Sequence, residues 1–162
     1  MQKGRSMIEM LGVLIIITVL TIGAMTGWQH TRQKMKIAET QNEIALIEQD
    51  ISNLFAWARR YPEAVSMETL CKEEVFPSGC SPSNCVEEEN CVAYHPFDRN
   101  ASLRPGTYEV EFDSGYLVIV LRYLPDMETC REIKSAIALE HYVGGECSNG
   151  SNDEVLLELM FQ

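Results

Sequence analysis

Glu9 is a single carboxylate at the entrance to an uncharged apolar run, Met10 to Trp28. An ionisable group at the mouth of a membrane-length segment is costly, and function is the default suspicion. In hydrocarbon, or in the dry interior of an assembly, the cost falls when an opposite charge comes close. A free α-amine, largely protonated at neutral pH, is one such charge. An amine a few residues from Glu9 is badly placed to reach it along one rigid helix. A neighbouring copy shifted along the axis has no such restriction. The plain alternative is an interfacial charge flanking a signal anchor, with Lys3 and Arg5 as its basic tip.

Six cysteines form the second group with chemistry: Cys71, Cys80, Cys85, Cys91, Cys130 and Cys147, all beyond the apolar run. They argue for an oxidising compartment and a disulfide framework, with 15 pairings open to six cysteines. The first four lack a CxxC pair, and His95 is the only nearby imidazole, so zinc is disfavoured. Two disulfides are expected among them. Local pairing (71–80 with 85–91) and nested pairing (71–91 with 80–85) fit equally well.

Other candidates are weaker. Glu87-Glu88-Glu89-Asn90 lacks the alternating oxygen ligands and turn glycine of a calcium loop, and a solvated acidic run is expected. Asn100-Ala101-Ser102 and Asn149-Gly150-Ser151 fit the short glycosylation pattern. His30, His95 and His141 are scattered. No G-x-S-x-G, phosphate loop or H-E-x-x-H occurs, so the sequence gives an enzymatic role no positive support and implies no cofactor or metal.

These groups must be positioned by a few elements. About 20 apolar residues cross a bilayer, and the run continues without proline into Gln29–Arg60, which predicts one unbroken helix. Ser6–Arg60 would measure roughly 80 Å. Ile37, Ile44, Ile47, Ile51, Leu54, Phe55 and Ala58 recur at helical spacings as one apolar stripe, with Glu39, Glu43, Glu48, Gln49 and Asp50 expected opposite. Pro62 closes the helix. Residues 62–106, acidic and rich in turn residues and cysteine, read as a mostly irregular connection with a short helix near Met67–Lys72. Thr107–Phe112 and Tyr116–Leu124 read as a hairpin about Asp113-Ser114-Gly115. A helix is predicted after Pro125-Asp126, carrying Met127, Cys130, Ile133, Ile137 and Tyr142 on one face, with Gly144-Gly145 as its stop. A polar loop, Ser148–Asp153, then precedes a strand at Glu154–Phe161. The fold class is α+β, a long N-terminal helix packed on a small antiparallel sheet.

With 162 residues and a formal charge of −11, the chain fits one modest domain plus an extension. Its acidity disfavours nucleic acid, which needs a basic surface. The apolar segment lacks the small-residue cleavage site of an ordinary secretory peptide. Lys3 and Arg5 favour a cytoplasmic N-terminus; Arg32, Lys34 and Lys36 beyond the span oppose it, and the cysteines favour an oxidising location for the remainder.

Gly4, then Ser6-Met7-Ile8-Glu9 and the long apolar helix, resemble the class III signal of type IV prepilins. The resemblance implies that residues 1–4 are a leader, that prepilin peptidase cuts after Gly4, and that Arg5 becomes the N-methylated first residue. Arg5 differs from the Phe or Met usual there. Glu9 becomes the fifth mature residue, the position that pairs with a neighbour's terminal amine and sets register. Loss of Lys3 with the leader lowers the formal charge by one, to −12. Many pilins carry a proline in this helix; this chain has none, and the small-xxx-small pair Gly23 and Gly27 is the candidate softer stretch, or simply tolerated glycines.

The back half, residues 107–162, is similar to the C-terminal region of type IVb-like pilins. There a disulfide staples the helix to the segment before the last strand, which implies Cys130–Cys147. The organisation then reads as leader 1–4, membrane or filament-core half-helix 5–28, amphipathic half 29–61, cysteine-rich connection 62–106 and the closing region 107–162. The implied partners are copies of the same chain in a helical filament, prepilin peptidase and an inner-membrane assembly platform. The implied location is the inner membrane with a periplasmic head, then an extracellular pilus. A type II secretion pseudopilin or minor pilin is the alternative within the superfamily, although tip-type minor members lack the Glu9 carboxylate. A signal-anchored periplasmic module that never polymerises is the alternative from another class.

Overall fold

The computed structural model describes residues 7–58, 61, 65–81, 91–97, 105–150 and 154–162. The chain divides into two compact units, Met1–Met35 and Lys36–Gln162. Helix α1 (Met7–Phe55) runs without interruption for 49 residues through both. It ends five residues before Arg60. The Ala58 amide donates to the Phe55 carbonyl at 2.8 Å and the Trp57 indole to the Leu54 carbonyl at 3.1 Å, and these short-range bonds close the last turn before Pro62 is reached.

In the first unit every described residue is helical, and side chains from Met7 through Met25, with Trp28, lie exposed on all sides. Three threonines return their hydroxyls to the helix: Thr18 to the Leu14 carbonyl at 2.7 Å, Thr21 to Ile17 at 2.7 Å and Thr31 to Gly27 at 2.9 Å. Each polar group is thereby satisfied without water.

The second unit is an α+β domain. Its six-stranded antiparallel sheet has the order β1-β2-β3-β4-β6-β5, from β1 (Cys80–Ser81), β2 (Val92–Tyr94), β3 (Thr107–Asp113), β4 (Tyr116–Leu124), β5 (Tyr142–Asn149) and β6 (Val155–Phe161). Helix α2 (Met67–Lys72) starts at Ser66, whose hydroxyl accepts from the Thr69 amide, and α3 (Met127–Ala136) starts at Asp126, whose carboxylate accepts from the Thr129 amide at 2.7 Å. The β3–β4 turn puts Ser114 at φ 52° and Gly115 at φ 90°, the backbone that a two-residue hairpin with matching twist requires. Ile44, Ile47 and Ile51 are fully buried in one core with Leu117, Ile119, Leu121, Leu157, Leu159 and Phe161. The amphipathic part of α1 therefore supplies a layer against which the sheet packs.

Several expectations require correction, among them Tyr142, expected on the face of a helix, and Ser148-Asn149, expected in a loop, all of which lie in β5. Gly144-Gly145 does not stop a helix; both lie in β5, and α3 ends eight residues earlier. Gly145 approaches β6 so closely that an added Cβ would sit 2.6 Å from the Glu158 carbonyl oxygen, so this glycine serves close backbone approach rather than a helix cap. The register shift between Tyr142 and Gly144 places Val143 in a bulge. Residues 62–106 are less irregular than expected, because β1 and β2 extend the sheet from β3. Glu43 and Glu48, expected opposite the stripe, are instead buried at 6% and 8% exposure. At about 100° per residue they flank the stripe rather than oppose it, and each finds partners there.

Candidate functional site

Residues that stood out in the sequence fall into two places, one in each unit. In the first, Glu9 occupies the first turn of α1, where the positive end of the helix dipole favours a carboxylate. From Met10 to Trp28 no charge follows. The most apolar 18-residue stretch has a mean hydropathy of 2.3 and none of it is buried. By length and composition this helix is able to cross a membrane. A helix apolar on every side and exposed in its own chain needs cover from lipid or from other chains. Arg32 places its guanidinium 5.9 Å from the centre of the Trp28 ring where the apolar run ends. Gly4 and Arg5 lie outside the described residues, as do Cys85, the Glu87–Asn90 run and Asn100.

In the second unit, the side chains that fix α1 to the sheet come from residues the sequence did not single out for that role. Glu43 accepts hydrogen bonds from the Tyr108 hydroxyl at 3.0 Å and from the Ser78 hydroxyl, tying the helix to β3 and to the loop before β1. Glu48 lies 3.1 Å from Nδ1 of His141 and 3.4 Å from the Ser52 hydroxyl. Lys36 donates to the Phe97 carbonyl at 2.7 Å and sits over the same ring. One signal in the sequence could have shown this. Glu43 and Glu48 stand five residues apart, bracketing Ile44 and Ile47, so both fall at stripe margins.

His95 is fully buried against Gly106. Its Nδ1 accepts the Phe97 amide at 3.3 Å, so Nε2 carries the proton that it donates to the Arg122 carbonyl at 2.8 Å. The Arg122 side chain reaches Glu109 at 2.7 Å and Glu154 at 3.3 Å. The Glu109 hydrogen bond outweighs partial burial and raises the Arg122 pKa above its ordinary value. Beside it Tyr123 takes φ 60° where β4 shifts register against β6, a strained position for an aromatic residue. This buried histidine is a structural group, tied to the backbone at Phe97 and Arg122.

Among the described residues, two disulfides staple the domain. Cys130, fully buried in α3, is joined to Cys147 of β5, and Cys71 of α2 is joined to Cys80 of β1. The second bond excludes the nested pairing of the first four cysteines. Cys91 is buried at the start of β2. Asn149 is exposed at the end of β5. Among the described residues, no group of three or more His, Cys, Asp or Glu side chains is arranged to hold a metal.

Comparison with protein-family models, with curated protein sequences and with solved structures gave no match. What can be said of function therefore rests on the residues and geometry above.

Proposed function

We propose that this chain is a type IV pilin-like structural subunit, cut after Gly4 and assembled into a filament through α1. The observation that carries the reading is one helix with two surfaces of different kinds. Its first part is apolar on every side, wholly exposed and headed by a lone carboxylate. Its second part is one-sided and buried in a disulfide-bonded sheet domain. Among the described residues the first part has no apolar cover within its own chain, and a bilayer before assembly or neighbouring copies after it would supply that cover. The Thr18 and Thr21 hydroxyls, satisfied within the helix, suit both surroundings.

In this reading the α-amine released at Arg5 of one copy neutralises Glu9 of another. An unpaired charge in a dry helix bundle costs several kcal/mol, so only registers that bring amine and carboxylate together persist. The acidic domain, stapled by Cys71–Cys80 and Cys130–Cys147, then stays outside the bundle.

The test is the mature N-terminus and intact mass of the protein recovered from its cells. A mature chain starting at Arg5 is expected, and a chain still starting at Met1 overturns the proposal in favour of a signal-anchored module. Glu9→Ala is expected to abolish or strongly reduce filaments while leaving the level of membrane-held subunit unchanged. Normal filaments from that variant would remove the register role.

A further inference from the structure

We infer that the residues following the apolar run form an anionic-phospholipid collar that holds the unassembled subunit at the leaflet around the C-terminal end of its span. The inference rests on the membrane-held stage of the reading above, and not on polymerisation. The apolar run Met10–Trp28 carries no charge, and at 1.5 Å per residue it rises about 28 Å, close to the thickness of a bilayer's hydrocarbon core. Trp28 therefore falls at the depth where an indole prefers to lie, at the border of hydrocarbon and headgroups. One turn later Arg32 lies over it, and Lys34 follows, exposed. Among the described residues neither Arg32 nor Lys34 has a carboxylate within ion-pair distance. From Met10 to Ala38 the only formal charges are positive, Arg32, Lys34 and Lys36, and Lys36 is engaged by Phe97.

The distribution of these groups around the helix identifies the partner. At about 100° per residue, Arg32 stands some 40° from Trp28, whereas Lys34 stands some 240° away. Charge on both sides of one helix does not match a partner docked on a single face. It matches a layer that surrounds the helix, and phosphodiester headgroups are such a layer. A cation near an anionic leaflet gains about fivefold in local affinity. The collar also explains basic residues at the end of the span where the usual cytoplasmic bias would not place them.

The experiment is native mass spectrometry of the full-length chain released from micelles doped with equal phosphatidylglycerol and phosphatidylcholine. Wild type is expected to retain the anionic lipid about fivefold or more over the zwitterionic one. R32Q/K34Q is expected to lose that preference, and R32K, which keeps the charge, to retain it. Equal retention of both lipids by wild type overturns the collar, as does a preference that survives R32Q/K34Q. If the double variant instead weakens self-association in purely zwitterionic micelles while lipid preference stays unchanged, the charges meet the acidic domain of a second copy and the collar is likewise overturned. Wild type and variants carrying the same N-terminus are compared, so Lys3 and Arg5 are common to both and filament formation plays no part; failure here and failure of the pilin reading are separately visible.

Discussion

Alanine placed at two adjacent glycines should have opposite effects on this domain. A Cβ at Gly145 would lie 2.6 Å from the Glu158 carbonyl oxygen, 2.9 Å from Cδ2 of Leu159 and 2.9 Å from the Tyr142 hydroxyl, whereas one at Gly144 would meet nothing within 4 Å. The Glu158 carbonyl belongs to β6, which is paired on both sides, and Leu159 is fully buried. Neither can withdraw without disturbing the ladder or the core. Overpacking of this kind costs about 1–3 kcal/mol. Gly144→Ala, at a backbone geometry open to alanine, should instead gain about 0.4–1 kcal/mol by restricting the unfolded chain. The two variants should therefore differ by roughly 1.5–4 kcal/mol. Urea unfolding of the full-length chain in mild detergent, followed by near-ultraviolet circular dichroism, measures this. With a slope of about 1–3 kcal/mol per molar, the midpoints should separate by roughly 0.5 M or more. Coincident midpoints, or a more stable Gly145→Ala, would refute the close approach of β5 to β6. A glycine pair acting as a helix stop offers no reason for so large a contrast.

Other expectations concern the staples and the buried polar contacts. Replacing both Cys130 and Cys147 by alanine should cost about 3 kcal/mol for a loop of this size on the chain-entropy argument, read as a lowered thermal midpoint; reductant, which also opens Cys71–Cys80, should lower the wild-type midpoint at least as far. Tyr108→Phe removes a donor from buried Glu43 and should cost about 1–3 kcal/mol, while the Tyr108→Phe chain keeps wild-type far-ultraviolet circular dichroism. Burial raises the Tyr142 pKa, so the stability it contributes is complete below the unfolded value of about 10 and is lost as pH rises through the folded one; Tyr142→Phe should flatten the alkaline loss in a pH series of unfolding midpoints. Non-reducing peptide mapping should join Cys85 to Cys91 once Cys71–Cys80 is in place, and a Cys91 peptide that reacts with alkylating reagent under denaturing, non-reducing conditions would contradict that.

The parts of this fold that could be read in the sequence are those governed by local periodicity. The stripe through Ile37, Ile44, Ile47 and Ile51, the hairpin about Ser114-Gly115 and the Asp126 cap each declare themselves within a few residues. What escaped depends on contacts between distant segments. Two glycines after a helix look alike whether they end it or admit a neighbouring backbone, and only the presence of β6 decides. The short strands β1 and β2 have little pattern of their own and exist because β3 offers an edge. Glu43 and Glu48 look like solvated charges until Tyr108 and His141, 65 and 93 residues away, reach them. Of the candidate site, Glu9 and its apolar run were visible directly, because exposure on every side is written in composition as much as in shape.

The first cysteine of the chain is Cys71, so no disulfide can fasten α1 to the sheet. The two staples described harden α2, α3 and their strands, while among the described residues the helix is kept in place by apolar packing and by polar contacts such as those of Glu43, Glu48 and Lys36. Under tension along the helix, the weakest plane is the seam between α1 and the sheet. Such a load should shear that seam first and leave the stapled sheet folded, a mode of failure that oxidation can neither prevent nor repair.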